Sequence, residues 1–320
     1  MIHEPTVFIL GAGASCPYGY PSGRELRREI YTHFYEDYDR FILKRSKIAS
    51  FVPPKLELNE ARNFADKFNK SSTKSIDLFL ARNPEFEILG KKAIIFRIFA
   101  AERNSAFREQ MRTGGRKQDW YSYIFDRLTD DHVEKNDYRR FCENKVSFIT
   151  FNYDRSLEHF LYESLVNSFN NIPLEKIKEQ LVKLRIIHIF GQIAGLEWQD
   201  LDSKIEYRWD INRINVQGLV NNLRIIYEEN NNPELKEAHE LLRKAQHIFF
   251  LGFGYAKENL ELLNIPKALK QGQNIYGTAL GLTPKEIQDK KTIFPDQSPP
   301  YASLVHIEDL DCLMLLRQYL

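Results

Sequence analysis

The chain has 320 residues, 43% of them hydrophobic, which is enough for one large domain or two moderate ones. Its 45 Lys and Arg stand against 44 Asp and Glu, a net charge of +1, so no whole-molecule field favours nucleic acid or an anionic membrane. Cys16, Cys142 and Cys312 lie far apart without a CxxC pair, which predicts no metal site and a reducing, cytoplasmic setting. No apolar run approaches the roughly 18 residues of a membrane span and the N-terminus lacks a basic leader, so the expectation is a protein neither exported nor embedded.

In chain order, short runs rich in Val, Ile and Phe recur: VFIL (7–10), VSFITF (146–151), RIIHIF (185–190), HIFFL (247–251) and NIYGTAL (274–280). They read as buried parallel strands, and each ends in glycine or a small polar cluster. Ligands of open α/β sheets bind beyond the carboxyl ends of the strands, so five strand ends point at one site. Between about 24 and 145 there is no comparable strand signal. The amphipathic stretches 75–102 and 120–128 predict helices there. The expected architecture is a single domain over 1–320, with a Rossmann-like core (1–23 and 146–320) and a helical insertion (24–145). The polar, Gly-Gly-containing stretch 103–119 and the stretch 228–237 read as loops, the latter starting a helix after Pro233, and 308–320 reads as a final helix.

Three motifs carry the chemistry. In GAGASCPYGYPSG, Gly11 and Gly13 match the first two glycines of a dinucleotide fingerprint, and Cys16 stands where the third would be. Such glycines let the backbone approach a pyrophosphate, with a helix N-terminus beyond them supplying amide donors. The same spacing also suits a tight strand-to-helix turn with no ligand. In FITFNYDRSLEHFL a strand ends in Asn152-Tyr153-Asp154 and a helix follows; taken alone, this reads as a helix cap. Gly252-Phe253-Gly254, after an apolar strand, offers a second backbone surface.

In this order, GAGxS with a Pro-Ser-Gly turn, Thr150-Asn152-Asp154, the His188 and Gly191 strand end and the late glycine turn resemble the sirtuin superfamily. The pattern is most similar to the bacterial sirtuin-like NAD-hydrolases of antiphage defence, whose helical inserts replace a zinc module. The resemblance implies NAD as substrate without a metal. It makes Asn152, His188 and Asp154 the catalytic candidates. It makes Gly11, Ala12, Gly13, Ser15, Pro21, Ser22, Phe190, Gly191, Gly252, Phe253 and Gly254 the NAD-binding candidates. It further implies an NAD+ glycohydrolase that works as a homo-oligomer or beside a separate defence partner. A non-catalytic NAD or ADP-ribose sensor is the competing class, and a deacylase or ADP-ribosyltransferase is disfavoured by the missing zinc cysteines.

Cleavage of the nicotinamide–ribose bond releases a neutral base, so it needs no general acid, only a fixed ribose, a positioned water and a base or dipole near the emerging charge. The sirtuin histidine directly precedes the glycine, whereas here Phe190 does and His188 lies two residues earlier. Strand alternation would put the two on one face, with His188 roughly 6.5 Å further from the strand end. A histidine hydrogen-bonded inside the sheet is the alternative.

Overall fold

The computed structural model describes residues 1–49, 55–105, 119–130, 137–169, 172–225, 232–294 and 304–320. Most of the expected loop at 103–119, the first residues of that at 228–237, and His132 lie outside the described residues.

Six parallel strands form the sheet: β1 (Thr6–Leu10), β2 (Val146–Thr150), β3 (Arg185–His188), β4 (His247–Leu251), β5 (Asn274–Thr278) and β6 (Val305–Glu308), in the order β3-β2-β1-β4-β5-β6. This is the doubly wound Rossmann-type order, in which the strand order reverses between β1 and β4 and leaves a crevice at their carboxyl ends. All five residues of β1 are buried, because elements cover both sheet faces there, whereas the edge strand β6 alternates buried and half-buried. That alternation is why β6 carries no continuous apolar run, and the 305–308 strand is an element the sequence reading missed. A ladder of aromatic rings crosses the sheet in register, with Phe8 stacked on Phe148 and Phe249 at 5.2 Å each and Phe249 on Tyr276 at 4.7 Å.

Between β1 and β2 the described chain is helical, as expected. Gly23–Ala49, Lys55–Lys70, Ile76–Arg82, Glu87–Asn104 and Trp120–Thr129 form the insertion. Ser75 caps the third of these by accepting from Leu78 N, and Asp119 caps the last by accepting from Ser122 N. The helix Glu87–Asn104 is buried along most of its length, so its cations are paired: Lys92 Nζ lies 2.7 Å from Glu57 and 3.0 Å from the Tyr38 hydroxyl, and Arg97 meets Glu29 and Asp37. The helix Trp120–Thr129 joins insertion to core. Trp120 Nε1 donates to Ala14 O at 2.8 Å, and Tyr121 stacks on Tyr18 at 3.8 Å.

Candidate functional site

The residues after β1 form one helical turn (Ala12–Ser15) and a 3₁₀ turn (Cys16–Tyr18), and the long helix starts only at Gly23. No long helix therefore opens on the glycine loop. Ser22 caps the long helix instead: its hydroxyl and backbone N–H donate to Glu25, while its Oγ accepts from Glu25 N at 3.3 Å. The Ser22 hydroxyl bond holds the Glu25 carboxyl below its usual range.

The two glycine loops pack on each other. Gly11 N donates to Leu251 O, Gly13 N to Gly252 O and Ala14 N to Gly11 O, at 2.9 to 3.0 Å. A Cβ on Gly11 would meet Gly252 O at 2.5 Å, one on Gly13 would meet Gly252 Cα at 2.9 Å, and one on Gly252, whose φ is +55°, would meet Ala14 N at 2.0 Å. The close approach that these glycines permit is thus backbone to backbone across the switch point, and the amides of Gly11, Gly13 and Ala14 are already bonded. This contact by itself requires glycine at both positions, as the tight strand-to-helix turn that the sequence also allowed would. Gly254, in contrast, is exposed with open space around its Cα.

At the end of β2 the structure separates Asn152 from Asp154. Asp154 holds the turn that leads into the helix Ser156–Ser168, whose N-cap position is Arg155: its Oδ1 accepts from Ser156 N at 3.0 Å and from the Ser156 hydroxyl. Burial raises the Asp154 pKa, and the hydrogen bonds from Ser156 and Ser15 oppose that rise. Asn152 is no cap. Its Nδ2 donates to Gly11 O at 3.1 Å and to Ser15 Oγ at 3.0 Å, and its backbone N–H donates to Thr150 Oγ1. Its Oδ1 is buried and has no hydrogen-bond partner. An acceptor so placed, on an amide whose donor end is pinned to the glycine loop, is fixed in orientation and left unsatisfied.

His188 lies beside this amide. One ring nitrogen, Nδ1, is 3.0 Å from Asn152 O and the other, Nε2, is 2.5 Å from Glu158 Oε1; both side chains are more than nine-tenths buried. Burial alone would lower the histidine's pKa, but the Glu158 charge and hydrogen bond, with the Asn152 carbonyl, raise it overall. As imidazolium the ring donates from both nitrogens, which leaves no free lone pair for a general base. β3 pairing stops at His188, where Gly191 N turns back to His188 O, so strand alternation does not carry through to Phe190. The Phe190 ring instead joins an aromatic cluster with Phe151 (5.5 Å) and Tyr153 (6.2 Å), to which Phe253 adds by packing on Phe151 at 5.4 Å. Gly191 has φ +73°, and a Cβ there would meet Asn222 O at 1.9 Å.

The carboxyl ends of β1, β2 and β4 thus bring together Gly11, Ala12, Gly13, Ser15, Asn152, Asp154, Gly252 and Phe253. Hydrogen bonds link Asn152 to Gly11, Ser15 and His188, and the rings of Phe190 and Phe253 both meet Phe151; Pro21 is half-buried, and Ser22 bonds to Glu25. Sequence reasoning missed Glu158, whose signal was an acid one helical turn after Asp154 and flanked by Leu157, Phe160 and Leu161. It also missed Thr278, whose Oγ1 accepts from Gly252 N at 2.8 Å. The third omission is Arg155, fully buried against an equally buried Glu102. Its guanidinium makes two 2.9 Å bonds to that carboxylate and further bonds to the carbonyls of Gly195, Ile205 and Glu206, a partner for each of its five donors. The pair fastens the turn after β2 to the insertion. Among the described residues no three His, Cys, Asp or Glu side chains are grouped to hold a metal ion.

No family model and no curated protein matches the chain. Solved structures do. The chain is similar to Sir2 in complex with an inhibitor, 2′-O-acetyl-ADP-ribose and a deacetylated p53 peptide, at 14% identity and a TM-score of 0.37, over 98% of this chain and 91% of that one. It is also similar to Sir2Tm bound to a propionylated peptide, at 15% identity and a TM-score of 0.38, over 98% and 90%. What the site can do rests on the side chains described above.

Proposed function

We propose that the chain is an NAD+ glycohydrolase that releases nicotinamide and ADP-ribose, with Asn152 as the residue that orients the reacting groups. The observation that carries this reading is the buried, unpartnered Oδ1 of Asn152 at the switch point of the sheet. A water or a ribose hydroxyl can donate to that oxygen, and the amide's donor end cannot turn to compete. Because nicotinamide leaves as a neutral base and the transition state is oxocarbenium-like, orientation of a water asks little of a base. This agrees with a His188 engaged at both nitrogens. His188 then acts as a positioning residue, holding the Asn152 carbonyl, and Asp154 holds the turn. The residues available to line an NAD site are Ala12, Gly13, Ser15, the Phe190–Gly191 turn and the Gly252–Gly254 turn. The motif pair GAGAS and TFNYD supports a role in antiphage defence by NAD+ depletion in the cytoplasm, as a homo-oligomer or with a separate partner protein.

A second reading, an NAD or ADP-ribose sensing module, is favoured by the same engagement of His188 and by Phe190 standing where a sirtuin has its histidine. Incubation of the purified chain with NAD+, dilute and concentrated, followed by chromatography, separates the readings. Nicotinamide released without any acceptor is the expected result. NAD+ binding without release gives the sensor, release only on addition of an acyl-lysine peptide gives a deacylase, and neither binding nor release overturns the proposal.

A further inference from the structure

Four carboxylates gather around the Asn152-Tyr153-Asp154 turn at the end of β2, and three of them are fully engaged. Glu102 is buried in its ion pair with Arg155, the residue after the turn. Glu158 is buried against His188, which meets the Asn152 carbonyl. Asp154 is itself buried and accepts both bonds from Ser156. The fourth, Asp77, comes from the insertion: it lies on the helix Ile76–Arg82, and its Oδ1 accepts from the Tyr153 hydroxyl at 2.6 Å. Asp77 is half-buried, and among the described residues no cation pairs with it.

Tyr153 is fastened from the core side. Its carbonyl accepts from Ile193 N at 3.0 Å and its ring stacks on Phe190, so its hydroxyl holds Asp77 over the carboxyl ends of β2 and β3. A carboxylate paired with arginine or histidine takes a proton poorly, because protonation forfeits the ion pair. Burial raises the Asp77 carboxyl above its ordinary value, and the Tyr153 hydrogen bond opposes that rise. Asp77 therefore differs from the other three in being partly exposed, free of a cation and fixed by a single neutral donor, which are the properties a general base needs.

We propose that Asp77 is the general base of the reaction, a role that rests on the NAD+ glycohydrolase reading. The oxygen of the attacking water bonds ribose C1′ as the C1′–N bond breaks. The electron pair of that bond stays on nicotinamide, which leaves neutral, and the proton of the water passes to the Asp77 carboxylate. The test is steady-state nicotinamide release by the full chain, with NAD+ affinity measured by titration. Asp77→Asn keeps an acceptor for the Tyr153 hydroxyl but cannot take a proton, so kcat is expected to fall about 10²-fold or more while NAD+ affinity stays within about threefold. Tyr153→Phe removes the hydrogen bond and keeps the carboxylate, and should retain at least about tenfold more turnover than Asp77→Asn. Circular dichroism checks folding, and Asp77→Ser takes the place of Asp77→Asn if the latter does not fold. Turnover of the folded Asp77 variant within about threefold of the parent, equal losses in the Asp77 and Tyr153 variants, or a loss confined to NAD+ affinity would overturn this role alone. A parent chain that releases no nicotinamide would overturn the NAD+ reading and this role with it.

Discussion

Replacing Asn152 by alanine separates the roles of this side chain. An amide standing free in a cleft would be removed at little cost to the fold, but here Nδ2 bonds Gly11 O and Ser15 Oγ, tying the end of β2 to the glycine loop. Two buried hydrogen bonds at about 1 kcal/mol each give a loss of about 2 kcal/mol. With an unfolding entropy of roughly 2 cal/mol/K per residue, that lowers the melting temperature of a chain this long by about 3 °C. Loss of the oriented Oδ1 should reduce nicotinamide release about 10²- to 10³-fold, the usual effect of deleting one preorganised polar group at a reacting centre. The assay pairs thermal melts with nicotinamide release, run well below the variant's melting temperature. A fully folded variant that keeps turnover within about threefold of the parent would refute the assignment of Asn152 and leave it a structural tie.

The glycine loops give a contrast: Gly252→Ala, with positive φ and a Cβ 2.0 Å from Ala14 N, should prevent normal folding or cost several kcal/mol (about 3 or more) in a denaturant melt, whereas Gly254→Ala, in open space, should leave the melt unchanged and alter only NAD+ affinity. Glu102→Gln strands Arg155 in the core and should cost about 3–5 kcal/mol by chemical denaturation, while the double exchange Glu102→Leu with Arg155→Met should recover most of it. The raised pKa of His188 stabilises the fold fully below the ordinary histidine value and is lost as pH rises through the raised one; Glu158→Gln should flatten that alkaline decline in a melt-versus-pH series. His159 behaves oppositely, because burial lowers it from 6.5 to about 4: its contribution is complete above 6.5 and disappears as pH falls towards 4, so His159→Phe, which keeps the stack on Tyr207, should soften the acid limb.

Much of the core was legible because a strand buried on both faces is mostly apolar, and VFIL in β1, FI in β2, IFFL in β4 and IY in β5 form such runs. The short edge strand β6 was not legible, since one half-solvated side breaks its run into Val305 and Ile307. The helical insertion was legible from its periodicity. The sequence by itself determined the presence of five of the six strands, the glycines, and an Asn and an Asp two residues apart, while β2, β3 and β5 end earlier than their apolar runs. Only the tertiary structure decided what each does, because hydrogen-bond partners are set by strands adjacent in space and distant in sequence. Gly11 and Gly13 serve Gly252, some 240 residues away, and Asn152 reaches back to Gly11 and Ser15 across the β1–β2 pairing. His188 illustrates the same limit. Spacing in the strand suggested a base beside Phe190, but Glu158, brought over by the helix that follows Asp154, takes its second nitrogen and turns the ring into a brace for the Asn152 turn.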